Sequence, residues 1–280
     1  MPPATLNSRF STANMYKGHH IEMELIKKKF GVLGERLGHS YSPRLHALLA
    51  DYEYKLYEVA PGDVAKFLAG GGFDGLNVTM PYKKTVLPFC KTLSDLASRI
   101  GSVNTILRMS DGSLYGDNTD YYGFTYLLGS LGVSVKGKKT LVLGSGGAAA
   151  TVRTAMHDAG AGSIVTISRS GPDNYENIRK HSDARIIINA TPVGMYPDIG
   201  ASPVSLGVFP ACEAVIDIIC NPVRTELVLR AQETGIACAG GLGMLCAQAK
   251  RACEVFTGRS IPDKVIEGIA ETMETEMGGS

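Results

Sequence analysis

The sequence predicts an α/β protein of two lobes, and three observations carry that prediction. Short apolar, β-leaning runs alternate with helix-length segments from Lys29 onward. A second alternating series begins after the polar, Gly-bearing stretch 132–139. The chain of 280 residues is long enough for one large or two modest α/β domains. Composition narrows the class further. With 44% hydrophobic and 20% charged residues, the apolar surface is sufficient to offset the entropy of ordering the chain, which excludes intrinsic disorder. A net charge of +1 gives no overall field for holding nucleic acid or an anionic membrane, so neither is an expected partner and any anion must be met by a local site. No apolar run approaches the roughly 18 to 20 residues of a membrane span, and a soluble protein is expected. The cysteines at 90, 212, 220, 238, 246 and 253 form no C-x-x-C pair, which argues against a disulfide framework and a zinc site and for a reducing cytoplasm. No metal is expected.

Taken in order, residues 1–28 show no hydrophobic periodicity. Before Glu22 the stretch carries Arg9, Lys17 and no acid, features shared with organelle transit peptides, but the Arg-rich amphipathic pattern is missing and Met15 and Met23 lie within it. It reads as a poorly ordered extension or a misplaced start. FGVLG (30–34), LYEVA (56–60), GLNVT (75–79) and VNTIL (103–107) then read as buried strands, separated by helical segments at 43–52, 63–69 and 83–100. This is the alternation of βαβ units with a largely parallel sheet. The second series comprises TLVLG (140–144), SIVTIS (163–168), RIIINA (185–190), AVIDII (214–219) and GIACAG (235–240), a pitch that short helices or loops can bridge in a doubly wound sheet. Two helices, 244–256 and 263–273, close the chain. Two βα series imply two lobes with a crevice between them, where ligands usually bind.

The best local signal is Gly144-Ser145-Gly146-Gly147-Ala148-Ala149, which follows the TLVL strand and opens an Ala-rich helix reaching about Gly160. Glycines at 144 and 146 with Ala149 in the third position fit a dinucleotide fingerprint: a tight turn, close backbone approach to pyrophosphate, and a helix N-terminus supplying N–H donors. A ligand-free Gly-rich turn is the bland alternative. At the end of the next strand an NAD site would place an acid, whereas this chain has Ser168-Arg169-Ser170, a guanidinium and hydroxyls suited to the 2′-phosphate of NADP. Against this stand an ordinary exposed arginine and the nearby Asp173.

In the first series Asn77-Val78-Thr79-Met80-Pro81-Tyr82-Lys83 ends a strand, where α/β sheets present ligand-binding groups. Pro81 suggests a helix start that would put Lys83 beside the positive end of a helix dipole, an unfavourable place for an idle cation. Lys83 is therefore a candidate acid/base, with a solvated lysine as the alternative. Its partner would come from Gly116-Asp117-Asn118-Thr119-Asp120, read as a polar turn between lobes, although Asp120 serves equally well as N-cap of a helix at 121–131. Ser40 and Ser42, ahead of Pro43, are either two hydroxyls for a carboxylate or a capped helix start.

Together these motifs resemble the shikimate dehydrogenase family. The resemblance covers about 29–270 and runs, in order, through S-x-S (40–42), N-V-T-x-P-x-K (77–83), V-N-T (103–105), G-D-N-T-D (116–120), G-S-G-G-A (144–148), N-A-T-P-x-G-M (189–195) and G-L-G-M-L-x-x-Q (241–248). It implies reversible NADPH-dependent reduction of 3-dehydroshikimate to shikimate, with Lys83 and Asp120 as the catalytic pair. Ser40 and Ser42 would hold the substrate carboxylate, and Thr79, Asn104 and Gln248 the ring hydroxyls. Gly144, Ser145, Gly146, Gly147, Ala148, Ser168, Arg169, Thr191 and Gly241 would meet the nucleotide, with Asp95 and Ile218 nearby. The implied organisation is an N-terminal extension (1–28), a substrate-binding lobe (29–117 plus 240–280) and a Rossmann-type NADP lobe (118–239), working as a monomer or homodimer in the cytoplasm. Two departures stand out. Cys220 occupies a position where the family usually has a tyrosine that contacts substrate, and Asp173 follows the Ser168-Arg169-Ser170 loop where a basic residue is usual. Alternatives are an NAD-preferring quinate/shikimate dehydrogenase and an idle NADP-binding sensor; the strand-end Arg169 argues against the first, and retention of Lys83 with Asp120 against the second.

Overall fold

A computed structural model of the chain describes residues 28–38 and 40–278; apart from Lys28, the N-terminal extension lies outside the described residues. Strand β1 (Lys29–Gly34) is buried from Phe30 onward, as its apolar sequence requires. After it come α1 (Ser42–Leu49), β2 (Glu53–Glu58), α2 (Val64–Gly70), β3 (Gly75–Val78), β4 (Thr92–Leu93), α3 (Asp95–Ile100), β5 (Thr105–Arg108) and β6 (Leu114–Asp117). These strands form one sheet in the order β2-β1-β3-β5-β6-β4. Its core face packs Leu33, Leu76, Val78 and Ile106 against Val64 and Leu68 of α2 and Ala97 of α3.

Two expectations for this half need correction. The sheet is parallel through β2, β1 and β3 but antiparallel at β3–β5 and β5–β6. Strands β5 and β6 are joined by a tight turn in which Gly112 (φ 82°) donates to Met109 O, and Met109 N to Ser113 O. So short a connection allows only antiparallel pairing. Gly116 and Asp117 accordingly belong to β6, not to a polar turn. Nor is 83–100 one helix. The Lys83 carbonyl accepts from Val103 N, and Pro88 has no N–H to continue a ladder, so the chain makes turns and a short 3-10 segment (Leu87–Phe89) before β4 and α3. Lys83 therefore stands on a turn, and the helix-dipole argument for it lapses.

Helix α4 (Thr119–Ser130) leads into the second half, which comprises β7 (Lys139–Leu143), α5 (Gly147–Asp158), β8 (Ser163–Ile167), β9 (Ile186–Asn189), β10 (Ala214–Asp217), α6 (Glu226–Glu233) and β11 (Ala237–Ala239). All five strands run parallel in the order β11-β10-β9-β7-β8. Alternation puts Val142, Ile186, Ile188 and Ile216 against α4 and α5 on one face. Leu141, Leu143, Ile187 and Val215 meet Leu227 of α6 and Phe209 on the other. The strand order reverses between β7 and β9, and that is where such sheets open a ligand crevice.

Helix α7 (Leu242–Thr257) and α8 (Val265–Gly278) complete the fold. Met244 joins the core beneath α4, whereas Phe256, at the far end of α7, stacks on Phe30 of β1 with centroids 4.7 Å apart. One helix thus packs against both halves. Its approach to α4 is close: a Cβ on Gly123 would lie 2.6 Å from Met244 O, so any side chain there would push the two helices apart.

Candidate functional site

A cavity of about 200 Å³ opens where the two halves meet. From the first sheet it is lined by Asn77, Val78 and Thr79, at the C-terminal end of β3, and by Asn104 just before β5. Lys83 reaches it from its turn, Ser42 from the start of α1, and Asp120 from the first turn of α4. The second half contributes Ala148, Ile218, Cys220 and Gly241, and α7 contributes Met244, Leu245 and Gln248.

Lys83 Nζ donates to Asp120 Oδ2 at 2.6 Å, with side chains 19% and 9% exposed, so the pair is held in the cavity wall and not at the surface. Asp120 is not the N-cap. That role falls to Asn118, whose side chain accepts from Tyr121 N at 3.2 Å and also donates to Ser102 O. The Asp120 carboxylate is thereby left for Lys83.

Around this pair lies a chain of buried amides and hydroxyls. Asn104 Oδ1 accepts from Thr119 N (2.6 Å), and its Nδ2 donates to Thr119 Oγ1 (3.0 Å). Such double anchoring fixes the amide plane at the cavity edge. Asn77 Nδ2 donates to Thr105 Oγ1, and Asn77 Oδ1 accepts from Tyr54. Ser42 N donates to Ser40 Oγ (3.3 Å); Ser40 is half-buried beside the cavity and does not line it. His46, behind this wall, is wholly buried, and desolvation lowers its pKa to about 3, so the imidazole is neutral near pH 7. Burial likewise raises the pKa of the Cys220 thiol, which stays protonated.

The dinucleotide fingerprint lies beside this cavity. Gly144 has φ 108°, and a Cβ there would come within 2.8 Å of Ala190 O, at the end of the neighbouring β9. Only glycine allows that turn at the point where the strand order reverses. Gly146 caps α5 without a side chain, and the first turn of α5 contains no acid, so its free N–H groups are open to an anion. Ser145 and Gly146 are exposed, and Ala148 lines the cavity, which joins the fingerprint to Lys83. Thr191 adjoins Gly144, its hydroxyl donating to Asn189 Oδ1 at 2.7 Å. Ser168 and Arg169 follow β8, and Arg169 is exposed with no ion pair among the described residues. Asp173, which on sequence grounds weakens an anion site, is engaged by Lys180 (2.5 Å) and His181 (2.8 Å). Its charge is therefore spent within the loop, and Arg169 remains available for a phosphate. This fits a 2′-phosphorylated dinucleotide. Asp95, in contrast, is an exposed residue in the first turn of α3 and does not line the cavity.

Of the residues singled out from sequence, the cavity gathers Ser42, Thr79, Lys83, Asn104, Asp120, Ala148, Ile218, Cys220, Gly241 and Gln248. It also contains Val32, Asn77, Val78, Met244 and Leu245, to which the sequence reading gave no role of their own. The signal for Asn77 was present, since in a strand it shares a face with Thr79 two residues on. Met244 and Leu245 read as ordinary apolar positions of a buried helix.

Residues 32–106 match the family described as shikimate dehydrogenase substrate binding domain. The chain is 35% identical over 267 residues to the shikimate dehydrogenase (NADP(+)) of Clostridium beijerinckii, a match covering 88% of this chain and 98% of that protein. Among solved structures, it resembles a chorismate mutase/shikimate 5-dehydrogenase fusion protein from Clostridium acetobutylicum with a TM-score of 0.84 at 33% identity, covering 90% of this chain and 98% of the other. It also resembles the shikimate 5-dehydrogenase of Thermus thermophilus in complex with NADP(H) and shikimate, with a TM-score of 0.78 at 31% identity, covering 88% and 99%.

Proposed function

The chain belongs to the shikimate dehydrogenase family, and from that premise we propose that it reduces 3-dehydroshikimate reversibly to shikimate with NADPH, using Lys83 and Asp120. The observation that carries the assignment of roles is one cavity lined at once by Lys83, Asp120 and Ala148 of the dinucleotide turn. It brings a proton donor and the cofactor-binding turn to one small compartment.

The backbone N–H groups at Gly146, Gly147 and Ala148 would hold the pyrophosphate and Arg169 the 2′-phosphate, with Ser145, Ser168, Thr191, Ile218 and Gly241 beside them. Bound NADPH supplies the hydride. The ammonium of Lys83 gives its proton to the carbonyl oxygen as that oxygen gains negative charge, so no free alkoxide forms. In the opposite direction neutral Lys83 takes the hydroxyl proton of shikimate. Asp120, hydrogen-bonded to Nζ at 2.6 Å, keeps the Lys83 side chain in place at the cavity wall. Ser40 and Ser42 donate to the substrate carboxylate, whereas Thr79, Asn104 and Gln248 meet the ring hydroxyls. Cys220 leaves that edge with a weak donor where the family usually has a phenol.

On this reading residues 29–117 with 240–280 form the substrate lobe and 118–239 the NADP lobe. None of the described helices is long and apolar enough to cross a membrane. We place the enzyme in the cytoplasm as a monomer or homodimer, a setting that suits six free thiols, two of them buried. Steady-state reduction of 3-dehydroshikimate, run with NADPH and with NADH and followed by nicotinamide absorbance, tests the function. Turnover with NADPH preferred is expected; no turnover with either nucleotide overturns it.

A further inference from the structure

Behind the substrate wall stands a phenol that does not itself line the cavity. Tyr54 lies on β2, beside Phe30 of β1, with its ring stacked on His46 at a centroid distance of 4.0 Å and an interplanar angle of 12°. Its hydroxyl donates to Asn77 Oδ1 at 2.7 Å, and the same phenol contacts the Ser42 hydroxyl. Asn77 and Ser42 both line the cavity, one from β3 and the other from α1.

The consequence follows from counting donors. A carboxamide has a carbonyl end and two N–H groups. The phenol has one proton, and Asn77 Oδ1 receives it. One Asn77 N–H goes to Thr105 Oγ1 at 3.3 Å. His46 also hydrogen-bonds this amide, and Asn77 lines the cavity, so with its oxygen held by the phenol it is the N–H end of the amide that can turn to a ligand. A ligand whose oxygens are a carboxylate and ring hydroxyls is the kind such a wall selects. Without the phenolic proton the amide loses its shortest bond and keeps only the 3.3 Å one to Thr105, so a flipped orientation that faces a ligand oxygen with another oxygen becomes accessible.

We propose that Tyr54 is a positioning residue, which orients the Asn77 amide as a donor and tethers Ser42 so that the cavity selects an anionic, hydroxylated ring. This rests on the function proposed above. Neighbouring His46 is held neutral by burial and so adds no charge of its own to the relay at neutral pH; the charged groups in the same cavity are Lys83 and Asp120.

The test is a double-mutant cycle of Tyr54→Phe and Asn77→Ala, reading the shikimate KM, the NADP+ KM, kcat and the thermal midpoint. Tyr54→Phe keeps the ring against His46 and removes only the hydroxyl. The single change is expected to raise the shikimate KM about three- to tenfold, the scale of a lost hydrogen bond, with kcat and the NADP+ KM nearly unchanged. In the Asn77→Ala background the same change should move the shikimate KM by clearly less than it does in the wild type, because the amide it orients is gone and only the Ser42 tether remains. An unmoved shikimate KM, multiplying effects, or a parallel loss in kcat, both KM values and the thermal midpoint overturns the proposal in favour of a structural role. A wild-type protein that does not oxidise shikimate overturns the parent reading and this one with it; an active wild type with an unmoved KM overturns this one alone.

Discussion

Removing the ammonium at Lys83 isolates the chemical step. Among the residues lining the cavity Lys83 is the sole cation, and its Nζ is held by Asp120 at 2.6 Å, so Lys83→Ala leaves no neighbouring side chain to supply the proton. Loss of a positioned acid/base costs about 10² to 10⁴ in rate, or about 2.7 to 5.4 kcal/mol of transition-state stabilisation. The carboxylate left behind is only 9% exposed and loses its partner, so stability should fall as well, by up to about 3 to 5 kcal/mol, which a melting curve will check separately from the rate. In a steady-state assay with saturating NADPH, kcat should carry nearly all of the loss while the KM for 3-dehydroshikimate changes little. Asp120→Asn should lower kcat as well. Because Asp120 acts through Lys83, the double variant should be hardly worse than the Lys83 variant alone. A loss confined to KM, or two defects that multiply, would refute the reasoning and return Lys83 to a binding role.

Arg169→Ala should weaken NADPH about 10- to 150-fold and leave NADH nearly untouched, since only NADPH offers a phosphate for a charge-assisted contact; equal weakening in a fluorescence titration would assign Arg169 to adenine or to structure. Cys220→Tyr should lower the shikimate KM about two- to twelvefold at nearly constant kcat, by adding a phenol at the cavity edge. A KM that rises would show the cavity too small for the ring. For His46, whose pKa falls from 6.5 unfolded to about 3 folded, the unfolded chain binds the extra proton between those values. Stability must then decrease as pH falls from 6.5 towards 3, by about 1.4 kcal/mol per unit from this group. Denaturant titrations at several pH values should show that slope reduced by one proton in His46→Phe, and an unchanged slope would exclude His46 as the source.

The second half was the more legible because its central strands are nearly continuous apolar runs, with β9 and β10 buried throughout and β7 from Thr140 onward. The first half hid two strands. Thr92–Leu93 is too short to show any periodicity, and Leu114–Asp117 ends in Gly-Asp, which looks like a turn until the Met109–Ser113 bond closes the hairpin. The same local ambiguity left Asp120 open as a cap, because Asn118 two residues earlier competes for the role and only the bond to Tyr121 N decides between them. The catalytic motifs stood out as clusters of polar residues at strand ends. The apolar wall of the cavity did not, since Met244 and Leu245 differ in no local way from core residues of α7.

The chain passes between the two sheets twice, at Asp117–Thr119 and again around Ala239–Leu242, and the helices that begin at these crossings, α4 and α7, touch backbone to backbone at Gly123. Two chain crossings and one close helix contact therefore hold the halves together. A side chain at residue 123 would be felt in both halves at once, because α7, which it would displace, carries Met244 in the core of one and Phe256 against Phe30 in the other.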